Sequence, residues 1–63
     1  MLLYTFYPWT LDGSSEVFEA HELRSDAEAA AMAVKVLSAH AHCTHVAVWE
    51  GDRAVLIHPL PER

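Results

Sequence analysis

With Cys43 as its single cysteine, the chain cannot hold itself together by an internal disulfide. That absence matters at 63 residues, where folding hides only about 60% of the surface the unfolded chain exposes. Domains of this size draw stability from a metal, from association, or from an unusually good core. Basic residues are scarce too. Four Lys and Arg stand against nine Asp and Glu, a formal net charge of −5. Such a chain repels a phosphate backbone, which argues against a nucleic-acid partner. No apolar run reaches the roughly 18 residues that a membrane span needs. The first residues carry no positive region and no small-residue cleavage site, so they do not read as a signal peptide. A lone thiol suits a reducing compartment, and the expected location is cytoplasmic. Disorder is excluded by composition, because 52% of the residues are hydrophobic.

The clearest local signal is Ser25-Asp26-Ala27-Glu28, a capping box with Ser25 as N-cap and Glu28 three residues in. Asp26 adds negative charge to the first turn, where the helix dipole favours it. A helix is therefore predicted over about 26–40, in an Ala-rich stretch free of Pro and Gly. At helical spacing Ala30, Ala33, Val34, Leu37 and Ala41 form one apolar stripe, widened by Ala29, Met32 and Val36. Strands are predicted over about 2–7, ending at Pro8, and over about 16–22, 44–49 and 54–58. Leu11-Asp12-Gly13-Ser14 and Glu50-Gly51-Asp52-Arg53 supply the turns. The fold class that follows is α+β: a single ββαββ domain over 1–63, with one helix on one face of a four-stranded, mainly antiparallel sheet.

If Gly51-Asp52 is a two-residue turn, Glu50 faces Arg53, Trp49 faces Ala54 and Val48 faces Val55. Extended further, Ala47 faces Leu56 and Val46 faces Ile57. One face then carries Val46, Val48, Val55 and Ile57, and the other Ala47, Trp49, Ala54 and Leu56. A sheet with one face in water is normally polar on that side; here both sides are apolar. One helix covers one face. The second, extended by Leu3 and Tyr7 and flanked by Trp9, is expected to bind a second copy of the chain. A twofold dimer is the favoured homo-oligomer, with an unknown protein partner as the other occupant. The function expected from this is that of a non-enzymatic interaction or accessory protein.

Tyr4-Thr5-Phe6-Tyr7, Asp12-Gly13, Ser25-Asp26-Ala27-Glu28-Ala29 and the run from Val46 through Trp49-Glu50-Gly51-Asp52-Arg53 to Val55 resemble a group of short bacterial proteins of unknown function. The resemblance spans nearly the whole chain. It implies the ββαββ fold and carries no activity with it. Ala47 stands where that pattern has a polar, outward residue, which makes the second face more apolar still.

Chemistry is suggested most by His40-Ala41-His42-Cys43-Thr44-His45. Imidazole and thiolate are the usual zinc ligands, and soft sulfur also suits copper. His58 joins this set, because the register above brings residue 58 opposite residue 45. The spacing matches no known finger, however, and a helix C-terminus accounts for the histidines without a metal. Metal binding is therefore the alternative function, with no cofactor as the main expectation. Cys43 with His45 as a nucleophile and base lacks a third, orienting group. Glu19, His21 and Glu22 form a conceivable acid/base set, which a charged edge strand explains more simply.

Overall fold

Ser25 opens the helix as its cap sequence predicts. In the computed structural model, which describes residues 1–15 and 18–59, α1 runs Asp26–Ala39. The Ser25 backbone is extended, and its Oγ accepts the Glu28 N–H at 3.3 Å. The reciprocal bond of the capping box is displaced by one residue, since Glu28 Oε1 accepts from the Arg24 N–H at 2.9 Å. At the other end His40 is the C-cap, its N–H donating to the Leu37 carbonyl at 3.1 Å. No helix among the described residues is long and apolar enough to cross a membrane.

Four strands pair antiparallel in the order β2-β1-β3-β4, with β1 Leu2–Thr10, β2 Glu19–Leu23, β3 Cys43–Glu50 and β4 Arg53–His58. The ββαββ order and the single covering helix stand as the sequence predicts. β1 is longer than expected and passes through Pro8. That residue lies beyond Phe6, where the described pairing with β2 ends, so its missing N–H breaks no described bond to β2. The expected second strand starts at residues 16 and 17, which lie outside the described residues; the described strand reaches one residue further, to Leu23. Both predicted turns form on glycines at positive φ, Gly13 at +88° and Gly51 at +62°. Asp12 locks the first turn, its Oδ1 accepting from the Thr10 hydroxyl and the Ser14 N–H.

The core is Tyr4, Phe6, Val46 and Val48 from the sheet against Ala29, Ala33 and Val36 of α1. Period-two burial along β1 and β3 sends these side chains to the helix side. The predicted helix stripe needs rotating. Ala30 and Ala41 are exposed and Val34 is half exposed, while Ala29, Ala33 and Val36 face the sheet. The reason is volume: Tyr4 and Phe6 are fully buried, and alanines opposite large rings keep the layers close.

The second hairpin departs from the expected register. Glu50↔Arg53 and Trp49↔Ala54 pair as predicted, but a bulge follows, and Val48 meets Leu56 instead of Val55. Beyond it Ala47 pairs with Ile57 and Val46 with His58. Val55 and Leu56 both pack on the core, so Leu56 belongs to the helix side and Ile57 takes its place on the open face.

Candidate functional site

The open face is built by alternation. β1 presents Leu3, Thr5, Tyr7 and Trp9, and β3 presents Trp49, Ala47 and His45 directly across from the last three. Ala54 and Ile57 add the β4 side. Leu3, Ile57 and Trp49 remain 55%, 42% and 37% exposed. Of the residues predicted for this surface, Leu3, Tyr7, Ala47, Trp49 and Ala54 lie on it. Trp9 joins them from within β1 and not from a loop; Leu56 borders the larger hollow, while its pairing with Val48 past the bulge packs it against the core as well.

Ala47 sits at the centre of this face, between Tyr7 on β1 and Ile57 on β4. Its methyl group leaves hollows on either side. The larger, of about 710 Å³, has Trp9, His45, Ala47, Trp49, Ala54 and Ile57 among its lining residues. The smaller, of about 410 Å³, is lined by Tyr7, Trp9, Ala47, Trp49, Gly51 and Asp52. Trp9 stacks on His45 with ring centroids 6.3 Å apart and planes 5° from parallel. Tyr7 tilts against Phe18, itself 60% exposed, at 5.7 Å. This is a wide aromatic surface with few polar groups, of the composition that anchors interfaces.

The histidine segment is not gathered into one place. His40 folds back to the sheet edge, where its Nε2 lies 3.1 Å from Glu19 Oε2. His42 is exposed, and Cys43 is half-buried at the start of β3. His45 lies on the open face against Trp9. His58 pairs with Val46, a buried helix-side residue, so it points to the opposite side of the sheet from His45. The bulge has moved it by one position. Among the described residues no group of three or more His, Cys, Asp or Glu side chains is placed to hold a metal ion.

Part of the imagined acid/base set does assemble. Glu19 accepts two contacts, from His21 Nε2 at 3.0 Å and His40 Nε2 at 3.1 Å. Hydrogen bonds from His21 and His40 hold its carboxyl below the usual range. His21 also packs edge-on against Phe6 at 5.4 Å. Glu22 pairs with Leu3 and so belongs to the other side of the sheet. The cluster ties β2 to the end of α1, and with both carboxylate oxygens engaged it acts as a latch.

A second polar cluster has no counterpart in the sequence reading. Tyr4 Oη donates to Asp26 Oδ1 at 2.7 Å, and Arg53 clamps the same carboxylate through Nη1 at 3.2 Å and Nη2 at 3.0 Å. Arg53 Nε also donates to Glu50 Oε1 at 3.1 Å. Asp26 is held below its ordinary pKa by Arg53 and then by Tyr4, while the Tyr4 hydroxyl is raised, first by its bond to Asp26. The helix start is thereby pinned to the β3–β4 hairpin. The sequence signal was Asp26 itself, read there only as a partner of the helix dipole.

No protein-family model, curated protein or solved structure matches this chain. What the resemblance implied about fold is present in the structure; no family is shown.

Proposed function

We propose that the chain is a small, non-enzymatic interaction module that self-associates through the open face of its sheet, in the cytoplasm. The observation carrying this reading is the apolar surface left uncovered by α1: Leu3, Tyr7, Trp9, Trp49 and Ile57 on one side of a single sheet. A standard interface takes about 800 Å² from each partner, which is under a fifth of the 4324 Å² this chain exposes. A twofold pairing closes such a patch on itself without leaving a second sticky surface. Two tryptophans near its centre supply the large, low-entropy side chains on which interfaces depend.

Trp49→Glu tests the reading. Trp49 is over a third exposed in one copy, so the charge is tolerated in a monomer and costly in a closed interface. Sedimentation velocity should find the parent associated and the variant monomeric, with both melting cooperatively. An equal sedimentation coefficient for the two, at equal concentration, would overturn it.

A further inference from the structure

The open face carries one side chain of the type that gains a positive charge near neutral pH. His45 lies on β3 directly across from Trp9 of β1, its ring stacked on the indole with centroids 6.3 Å apart and planes 5° from parallel. The other histidines lie elsewhere. His21 pairs with Tyr4 and His58 with Val46, both helix-side residues. His40 is engaged by Glu19, and His42 is exposed in the turn before β3. The Thr44 hydroxyl donates to the Trp9 carbonyl at 3.5 Å, so its oxygen is left to accept from His45 Nδ1 at 3.0 Å. Nε2 is then the nitrogen that takes up a proton, and among the described residues it has no hydrogen-bond partner.

The groups around His45 give a charge there little compensation. β4 brings Ala54 and Ile57 to this face, neither of them ionisable. Tyr7 on β1 and Cys43 on β3 are a phenol and a thiol, types that ionise above neutral pH. Asp12, in the turn that lends Gly13 to the same hollow, is turned back on its own loop by the Thr10 hydroxyl and the Ser14 N–H. Glu22, Asp52 and the amino terminus stand at the opposite end of the sheet, exposed to solvent that screens them. α1 lies behind the sheet.

Closing the face with a second copy takes His45 out of water together with Trp9. A neutral imidazole tolerates this, whereas an imidazolium loses its hydration without gaining a counter-charge. The Trp9 ring attracts the cation before and after association, and offsets only part of that loss. We infer that His45 is the pH sensor of the self-association proposed above: protonation opens the interface, so the chain pairs at neutral pH and separates in mildly acidic surroundings. The inference rests on that reading and adds its regulation. Overall charge works the other way. The net −5 shrinks as pH falls toward the pI near 5.3, which relieves repulsion between copies. The direction of the response therefore separates His45 from bulk charge.

Sedimentation velocity across a dilution series, at about pH 7.5 and about pH 6 with matched ionic strength, reads the effect. An imidazole that titrates near pH 6.5 in water and is buried neutral weakens pairing about fourfold over that interval. A twofold dimer buries two of them, so the dissociation constant should be about 15-fold larger at the lower pH. The fold should stay intact, because His21 and Arg53 hold the Glu19 and Asp26 carboxyls below their ordinary range; a cooperative melt at both pH values checks it. His45→Phe keeps a ring on Trp9 with nothing to protonate, and its dissociation constant should not rise at the lower pH. His42→Gln should keep the parent's full response. A parent that pairs equally or more tightly near pH 6, an undiminished loss in His45→Phe, or a response abolished by His42→Gln would overturn the inference and leave the dimer standing. A parent that is monomeric at both pH values would overturn the dimer and the sensor together.

Discussion

Replacing Leu56 and Ile57 by alanine, one at a time, tests the bulge that sets the two faces of the second hairpin. Leu56 packs against the core cluster on the helix side, whereas Ile57 is 42% exposed on the open face. A fully buried Leu→Ala loses about 2–5 kcal/mol. Leu56 is half-buried, so about 2 kcal/mol is the reasonable loss from transfer and cavity together. For a chain this short, each kcal/mol moves the melting temperature by about 4–8 °C, which makes the Leu56→Ala shift about 8–16 °C. Ile57→Ala removes contacts that water already half replaces, and at low concentration it should cost less than about 1 kcal/mol. Thermal melts followed by far-UV circular dichroism over a range of protein concentrations measure both. The Leu56 loss should be independent of concentration. The Ile57 loss should grow as concentration rises, because the proposed association would bury that exposed side chain. A larger loss for Ile57→Ala than for Leu56→Ala in the dilute limit would mean that the hairpin keeps the simple two-residue register, and the account of the faces would fail.

The other structural claims have direct tests. Ser25→Ala should cost about 1 kcal/mol through loss of the N-cap, read as a lower urea midpoint at unchanged slope. Glu19 and Asp26 are held below their ordinary carboxylate values by His21 and Arg53 respectively. Their contribution is therefore present above the unfolded carboxylate pKa, near pH 4, and is lost as pH falls through the lower folded values. Acid titration should show stability dropping below about pH 4, and Asp26→Asn should flatten that drop; an unchanged acid profile in Asp26→Asn would contradict it. Cys43→Ala should leave the fold intact, and saturating zinc should shift the melting temperature of parent and variant equally. A zinc-dependent rise of several degrees confined to the parent would restore the metal reading.

How legible the fold was depended on whether the signal was local. Ser25 and Glu28 mark the helix start within four residues, and Gly51-Asp52 marks the turn by itself, so both were readable. The bulge was not. Ala54-Val55-Leu56-Ile57 is apolar at every position, so neither face is marked and a one-residue shift leaves no trace in the pattern. The same uniformity hid the orientation of α1, where alanines occur all around the helix and the choice of Ala29 over Ala30 is made by the rings beneath. The open face is foreseeable because the strands carry apolar residues on both alternations, and Leu3 and Tyr7 of β1, Ala47 and Trp49 of β3 and Ala54 of β4 follow from that pattern. The Tyr4–Asp26–Arg53 cluster joins residues 22 and 27 positions apart, and no periodicity carries such a contact. The histidine segment misled in the opposite way. Its residues are close in sequence, yet the passage from helix to strand turns His40, His42 and His45 in different directions.

The central claim is that the open sheet face is closed by a second copy of the chain. Multi-angle light scattering on the unmodified protein at micromolar concentration measures it most directly. The account predicts a species of about twice the 7.0 kDa chain mass, falling toward the monomer mass in Trp49→Glu. A parent protein that elutes as a single 7.0 kDa species, with a cooperative melt that does not change with concentration, would contradict it.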